Sequence, residues 1–131
     1  MAEILIVDDE LQIRRPLRIL LERAGHRVRE AQDGQEAIRM WRERPGDLVI
    51  TDIHMPEKDG IETILELRAL TPGLRIIAIS GGLQTRHLDL LGDATLLGAV
   101  LTVPKPFTLA EILAAVSQAL QTSSGGGCIG C

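Results

Sequence analysis

Residues 4–10 read ILIVDDE, so that four consecutive apolar side chains are followed directly by three acidic ones. The apolar run from Ile4 to Val7 is typical of a buried strand, and the two aspartates after it mark its end. From Leu11 to Ala24 the apolar side chains fall largely on one helical face, and Gly25 is a natural stop. The stretch therefore predicts a buried strand followed by an amphipathic helix.

The rest of the chain continues this alternation of short apolar runs with amphipathic helical stretches. The predicted strands are Ile4 to Val7, His26 to Ala31, Leu48 to Ile50 with its end at Asp52, Leu74 to Ile79, and Val100 to Val103. The predicted helices are Leu11 to Ala24, Gln35 to about Glu43, Ile61 to Leu70, a less regular stretch from about Gln84 to Leu97, and Thr108 to about Gln121 with Thr108 as N-cap. Such alternation favours an α/β fold with a parallel sheet and helices on both faces, because parallel neighbours need right-handed crossovers.

Length and composition are those of one globular domain. The chain has 131 residues, of which 45% are hydrophobic and 24% charged, and its formal net charge is −4. A disordered chain would be less hydrophobic, and no apolar run approaches the ~20 residues of a membrane span. The amino-terminal stretch lacks the features of a secretion signal. A mildly acidic chain with one Trp and one Phe also argues against a direct nucleic-acid contact. We therefore expect a cytoplasmic protein.

The last ten residues, 122–131, differ in composition from residues 1–121, which are expected to form the domain. They are rich in Ser and Gly and are expected to be flexible, either as a linker or as an extension added in cloning. Cys128 and Cys131 match the spacing of a C-x-x-C pair and of a prenylation box. Since both cysteines lie in this tail, the domain itself has no disulfide framework. Metal capture or disulfide cross-linking by the tail stays open.

Polar residues gather at the carboxyl ends of the predicted strands. Asp8 and Asp9 follow the first strand, Asp52 ends the third, Ser80 ends the fourth, and Lys105 follows the fifth. In a doubly wound sheet these ends meet at one edge, where ligands bind. Clustered carboxylates repel one another unless a cation lies among them, and oxygen ligands without His or Cys suit Mg²⁺. With a lysine and a hydroxyl nearby, the set suits phosphoryl transfer to a carboxylate, with Asp52 as acceptor.

Each of these polar residues also has a simpler interpretation. A single Asp after a strand is commonly a turn residue or a helix N-cap, and two in succession favour the positive end of a helix dipole. Likewise, Lys105 between two prolines fits a solvated turn. The functional interpretation is preferred because polar residues recur at the same end of four of the five predicted strands. Outside this set, Trp41 is expected to pack in the core, and His26 and His87 to lie at the surface.

Four motifs together resemble a known family. VDDE at 7–10, TDIHMPEKDG at 51–60, ISGG at 79–82 and VPKPF at 103–107 resemble the receiver domain of bacterial two-component response regulators. The motifs occur in the family's order and spacing, and the resemblance covers about residues 3–121. It implies a flavodoxin-like fold, as in the chemotaxis receiver, with a five-stranded parallel sheet in the order 2-1-3-4-5.

The resemblance also implies roles for the acidic residues. Asp52 would accept a phosphoryl group from a sensor histidine kinase or a histidine phosphotransfer protein, in a reaction that needs Mg²⁺. Asp9 and Asp52 would bind the ion directly, together with the backbone carbonyl of His54. Asp8 would act partly through a water molecule.

The expected switch involves the two remaining site residues. Lys105 would reach the phosphoryl oxygens, and Ser80 would move to hydrogen-bond the phosphorylated Asp52. The family usually has Tyr or Phe three residues before the lysine, but this chain has Thr102 there and no tyrosine at all. The coupling between Ser80 and a buried aromatic side chain is therefore not expected in its usual form.

The expected function is a signalling switch and not an enzyme, although such a domain promotes its own phosphorylation and dephosphorylation. It would act as a stand-alone receiver on a downstream effector protein, or as the amino-terminal part of a regulator with a fused output domain. The fourth and fifth helical elements would form either a homodimer face or an effector face. An alternative is a receiver-like interaction module that works without phosphate. A phosphohydrolase is disfavoured because no second acid lies two residues after Asp52, and a flavodoxin because no Ser/Thr-rich phosphate loop follows the first strand.

Overall fold

The computed structural model describes residues 2–52, 60–80, 101–104 and 107–121. Within these ranges the strands are β1 (Glu3–Val7), β2 (Arg27–Ala31), β3 (Leu48–Asp52), β4 (Arg75–Ser80) and β5 (Leu101–Pro104). The helices are α1 (Leu11–Arg23), α2 (Gly34–Glu43), α3 (Gly60–Leu70) and α4 (Leu109–Gln121). The helix predicted from about Gln84 to Leu97 and the tail at 122–131 lie outside the described residues.

The five strands form one sheet in the order β2-β1-β3-β4-β5, and every neighbouring pair is parallel. The predicted order and the predicted edge position of β2 are therefore confirmed. In the register, Val7 of β1 pairs with Ala31 of β2 and with Thr51 of β3. Asp52 pairs with Ile79, and Ser80 is the last paired residue of β4. The carboxyl ends of all the strands consequently lie along one edge of the sheet.

Helices cover both faces of the sheet, as the continuous apolar runs predicted. Leu5 and Val7 of β1 face α2 and α3, and their core includes Trp41 and Leu67. The alternate residues of β1 face α1 and α4, whose buried side chains form the second core. All five residues of β3 are buried, because this strand lies in the middle of the sheet with helices on both sides.

The stop predicted at Gly25 is confirmed by the end of α1. Gly25 has a φ of 99°, in the left-handed region, and its N–H donates to the carbonyl of Glu22. The N–H of His26 donates to the carbonyl of Leu21, which completes a Schellman motif. Because the His26 amide closes the helix in this way, β2 begins at Arg27, one residue later than predicted.

Side-chain caps start α2 and α4. Asp33 accepts a hydrogen bond from the backbone N–H of Glu36 at 2.8 Å. At α4, Thr108 Oγ1 accepts from the N–H of Glu111 at 3.0 Å, and Glu111 Oε1 accepts from the N–H of Thr108 at 2.7 Å. This reciprocal pair is a capping box, which confirms the predicted N-cap at Thr108.

Trp41 and Thr71 join α2 to the turn after α3. Trp41 is buried, as predicted, and its indole N–H donates to Thr71 Oγ1 at 2.8 Å. The N–H of Leu74 donates to the carbonyl of Thr71, so Leu74 belongs to the turn and β4 begins one residue later than predicted. In the described parts of the chain, no helix has both the length and the apolar character needed to cross a bilayer.

Candidate functional site

Two buried carboxylates and one exposed carboxylate meet at the carboxyl edge of the sheet. Asp8 directly follows β1, Asp52 is the last residue of the neighbouring strand β3, and Asp9 begins the loop to α1. One carboxylate oxygen from each of the three lies within 4.8 Å of the other two. The predicted clustering of these three residues is therefore confirmed.

The burial of two of these carboxylates determines which kind of ligand the cluster would bind. Asp8 is only 1% exposed and Asp52 only 3%, whereas Asp9 is exposed. Two negative charges held close together and away from water are costly, and a cation between them reduces that cost. All three donors are carboxylate oxygens, which suit a hard divalent ion and not a soft one. The exposed side, at Asp9, leaves room for water or phosphate oxygens, so the residues present fit an Mg²⁺ site.

Two hydrogen bonds orient Asp8, one through its backbone N–H and one through its side chain. Its N–H donates to the carbonyl of Ala31 at 3.1 Å, which continues the pairing of β1 with β2 by one residue. Its Oδ1 accepts the N–H of Glu10 at 2.9 Å and closes a turn into α1. The simpler interpretation of Asp8, as a turn residue, is therefore correct, and the same side chain also belongs to the acidic cluster.

Arg14, which lies in none of the four sequence motifs, contacts the site. Arg14 Nη1 donates to the backbone carbonyl of Asp8 at 2.7 Å, and Arg14 Nε donates to Glu30 Oε1 at 2.9 Å. The other oxygen of Glu30 accepts from Arg15 and Arg18. Burial opposes ionisation of Glu30, but the hydrogen bonds from Arg14, Arg18 and Arg15 outweigh it and hold the pKa of Glu30 below its usual value.

His26 is less exposed than the sequence predicts, and His87, which is predicted to lie at the surface with it, lies outside the described residues. The side chain is half-buried, and its Nδ1 accepts the backbone N–H of Ala2 at 3.1 Å. Burial is the main cause that lowers the pKa of His26 below its ordinary value of 6.5. His26 lies near the start of β2, at the edge of the sheet opposite to the acidic cluster, and takes no part in it.

The remaining predicted site residues are only partly covered by the described ranges. The backbone of Ser80 ends β4 at the same edge as Asp52 and pairs with Pro104, but its side chain is not described. Lys105 follows Pro104 directly in the chain, and both Lys105 and His54 lie outside the described residues. Thr102 pairs with Ala78 in the sheet, and its side chain is likewise not among those described. The roles of these residues stay predictions.

The fold and the site define a class of proteins: parallel α/β proteins in the order 2-1-3-4-5 with an acidic cluster after the first and third strands. Residues 4–117 match the family model of the response regulator receiver domain. The chain belongs to this family. It is therefore a receiver domain, the phosphoryl-accepting signalling module of two-component systems.

Individual relatives agree with the family. The chain is 36% identical over 123 residues to the DNA-binding transcriptional regulator NtrC of Azospirillum brasilense, covering 94% of this chain and 25% of NtrC. It is 35% identical over 118 residues to the chemotaxis protein CheY of Halobacterium salinarum, covering 90% of this chain and 96% of CheY. A solved CheY-like receiver domain from Methanospirillum hungatei superposes with a TM-score of 0.88 at 25% identity, covering 97% of this chain and 99% of that one.

The relatives differ in how much of their length the match covers. The chain spans 25% and 52% of the first curated relatives that it matches, and nearly all of the chemotaxis protein. Receiver domains of this kind therefore occur both alone and joined to further domains. The match supports the class of this domain and leaves its output open.

Proposed function

We propose that Asp52 is the phosphoryl acceptor of this receiver domain. Asp52 ends β3, the central strand, and its carboxylate lies within 4.8 Å of carboxylate oxygens of Asp8 and Asp9. The position of Asp52 at the end of the middle strand, beside the other two acids, is the observation that carries this assignment.

The proposed transfer replaces one bond to phosphorus by another. A carboxylate oxygen of Asp52 forms a bond to phosphorus while the bond from phosphorus to the donor's imidazole nitrogen breaks. The imidazole keeps the electron pair of the broken bond and later takes a proton from water. The acceptor oxygen must approach an anionic group, so the negative charge of its neighbours has to be offset at this edge of the sheet.

The cation proposed for the site is Mg²⁺. Asp9 and Asp52 would hold it directly, Asp8 partly through water, and the backbone carbonyl of His54 would complete the protein's share. When bound, the ion supplies positive charge that lets a phosphoryl group approach the carboxylates. In the same proposal, Lys105 holds the phosphoryl oxygens, and the Ser80 hydroxyl bonds the phosphorylated Asp52. The three clustered carboxylates support the cation, and the placement of Ser80 at the same edge supports its part.

The proposed partners follow from this class of domain. The donor is a sensor histidine kinase or a histidine phosphotransfer protein in the cytoplasm, and phosphorylation changes binding to a downstream effector or to a fused output domain. We also propose that the receiver domain comprises residues 1–121 and that residues 122–131 lie outside it. The domain promotes its own phosphorylation and dephosphorylation without turning over a separate substrate, and it makes no direct contact with nucleic acid. A homodimer is one of the two uses proposed for its last helical elements.

The proposed function predicts one covalent adduct on Asp52. After incubation with a small phosphodonor and Mg²⁺, intact mass spectrometry of the native chain should show a single added phosphoryl group. The adduct should be absent without Mg²⁺ and absent in Asp52→Asn, because the amide oxygen is a poor nucleophile. Glu43→Gln is the matched control, since Glu43 is an exposed acid on α2, and it should be modified like the native chain.

Two results would contradict the proposal. An adduct of undiminished yield in Asp52→Asn would place the acceptor elsewhere. A native chain that binds Mg²⁺ and yet stays unmodified would favour an interaction module that works without phosphate.

A further inference from the structure

Arg14 is the cationic side chain that joins the acidic site to the outer strand of the sheet. Its guanidinium uses two different nitrogens, with Nη1 on the carbonyl of Asp8 at 2.7 Å and Nε on Glu30 Oε1 at 2.9 Å. Both side chains of the ion pair are largely shielded from water, at 12% exposure for Arg14 and 9% for Glu30. Hydrogen bonds between charged groups are strong in such surroundings, so we expect this bridge to be held in one geometry.

The carbonyl that Arg14 contacts belongs to the peptide bond between two proposed metal ligands. Because a peptide unit is planar, holding the oxygen of Asp8 also sets the direction of the Asp9 N–H and the position of the Asp9 α-carbon. The other side of Asp8 is held by its own N–H, which donates to Ala31. Asp9 is exposed, so the placement of its carboxylate depends on its backbone and not on surrounding side chains.

Glu30 in turn holds Arg14. It lies on β2, where it pairs with Ile6, one residue before the Val7–Ala31 pair and close to the edge that carries Asp8. Arg15 and Arg18 bind the other oxygen of Glu30, but their side chains are 53% and 40% exposed. Exposed ion pairs contribute little, and no hydrogen bond described for either arginine reaches Asp8. Of the three arginines on Glu30, Arg14 is the one that touches the site.

We propose that Arg14, held by Glu30, is a positioning residue that sets the Asp8–Asp9 peptide for binding of the divalent cation. This inference rests on the proposed Mg²⁺ site. Groups that orient metal ligands commonly change metal affinity by about 10–100-fold when they are removed. The bridge therefore acts on how tightly the ion is held and leaves the acceptor itself unchanged.

The direction in which Mg²⁺ affinity changes in Arg14→Ala distinguishes a positioning role from a purely electrostatic one. Arg14 is a cation next to a cation site, so its charge alone disfavours Mg²⁺ by repulsion. If charge were its whole contribution, Arg14→Ala would bind Mg²⁺ more tightly. If Arg14 positions the ligands, Arg14→Ala binds Mg²⁺ more weakly in spite of the lost repulsion.

The test measures Mg²⁺ affinity of the full chain by isothermal titration calorimetry, well below the unfolding temperature. We expect Arg14→Ala to weaken Mg²⁺ binding about tenfold or more. The matched control is Arg18→Ala, which removes an arginine from the same helix and the same carboxylate but makes no contact with Asp8. We expect this control to bind Mg²⁺ as tightly as the native chain, or slightly more tightly. Equal affinities in the two variants, or tighter binding by Arg14→Ala, would overturn the proposal.

Two further variants extend the test. Glu30→Ala should lose affinity as Arg14→Ala does, and the double variant should lose little more, because both remove the same bridge. If Arg14→Ala does not fold, Arg14→Lys against Arg18→Lys decides the question. Lysine carries its donors on one nitrogen and lacks the rigid fork whose two nitrogens contact Asp8 and Glu30, so Arg14→Lys should bind Mg²⁺ less tightly than Arg18→Lys. Equal affinities in this pair would also contradict the proposal.

The phosphorylation reaction gives a second readout. In Arg14→Ala the Mg²⁺ concentration for half-maximal adduct formation should rise, whereas the rate at saturating Mg²⁺ should stay close to that of the native chain. The native chain and Asp52→Asn, measured in parallel, separate the two hypotheses. A native chain without an Mg²⁺-dependent adduct would contradict the proposed function. A working native chain with an Arg14→Ala variant of unchanged Mg²⁺ affinity would contradict this inference alone.

Discussion

At the scale of single residues, the same side chain often stabilises the fold and prepares the site. Asp8 is the clearest case, because its Oδ1 closes the turn into α1 through the N–H of Glu10 while its carboxylate belongs to the acidic cluster. Trp41 acts only in the core, where its indole N–H has a partner in Thr71 Oγ1. His26 differs from both, since a half-buried imidazole accepts a backbone hydrogen bond that only its neutral form can accept.

The depressed pKa of His26 predicts that stability falls in mildly acidic solution. The unfolded chain takes up a proton as the pH falls through 6.5, whereas the folded imidazole resists protonation to a lower pH. Since the unfolded state then binds more protons, the free energy of unfolding decreases as the pH falls through the unfolded value of 6.5. Urea unfolding at a series of pH values measures this decrease.

The control for His26 is His26→Asn, whose amide oxygen can accept the Ala2 N–H without titrating in this range. We expect the decrease in unfolding free energy around pH 6.5 to be smaller in this variant. Most carboxylates titrate at lower pH and contribute little to this window. Parallel pH profiles for the native chain and His26→Asn would show that another group causes the decrease.

At the scale of helices and strands, local chemistry places the ends of each element. The Schellman motif at Gly25 ends α1, the Asp33 side chain starts α2, and the capping box of Thr108 and Glu111 starts α4. β2 and β4 begin one residue later than predicted because a turn hydrogen bond uses the amide that precedes each strand. β1 begins one residue earlier than predicted, and β5 lies one residue further along the chain, so these two differences do not have this cause.

The capping box predicts a measurable contribution of Thr108. Thr108→Ala removes the acceptor for the Glu111 N–H, and loss of an N-cap costs about 1 kcal/mol of unfolding free energy. Thr108→Ser keeps a hydroxyl at the same position and should keep most of this stability. Chemical denaturation of the three proteins measures the difference, and an alanine variant as stable as the native chain would show that the cap is not used in solution.

At the scale of the whole molecule, the sheet brings together acids that are distant in the chain. The neighbouring strands β1 and β3 end at the same level, so Asp8 and Asp52 lie side by side although they are far apart in sequence. Two buried carboxylates at one edge of the sheet repel each other, and this repulsion lowers the stability of the folded chain unless a cation or another positive group lies near them. The pair therefore serves the site and not the stability of the fold.

This arrangement predicts that Mg²⁺ stabilises the folded chain. A ligand at 100 times its dissociation constant adds about 2.7 kcal/mol to the unfolding free energy when it binds only the folded state. The midpoint of thermal unfolding should therefore rise with Mg²⁺ concentration in the native chain. Asp9→Asn should lose most of this rise, and because Asp9 is exposed, its replacement leaves the core intact.

The control for this effect is Glu43→Gln, which removes an exposed acid on α2 outside the cluster. Its midpoint should rise with Mg²⁺ as much as that of the native chain. An equal rise in Asp9→Asn would mean that Mg²⁺ acts on the general surface charge and not on the acidic cluster.

The sequence by itself predicts most of the secondary structure, the order of the strands and the acidic cluster. The strands and helices are visible because apolar runs and helical periodicity are local patterns, and the order of motifs identifies the receiver family with its sheet order. Asp8, Asp9 and Asp52 are predictable as a cluster because parallel strands that end in acids must meet at one edge.

Only the tertiary structure decides the contacts between side chains that are far apart in the chain. Arg14 is followed by a second arginine, and Glu30 is one of many charged residues in the chain, so nothing in the local sequence distinguishes this pair, which contacts Asp8. The same is true of His26, whose partner at Ala2 is brought close by the end of α1 and the start of β2. The periodicity of apolar residues reflects the local geometry of a helix or strand, so it is visible in the sequence. These side-chain partners depend instead on how α1 packs against β2, and that packing is set only when the whole sheet is assembled.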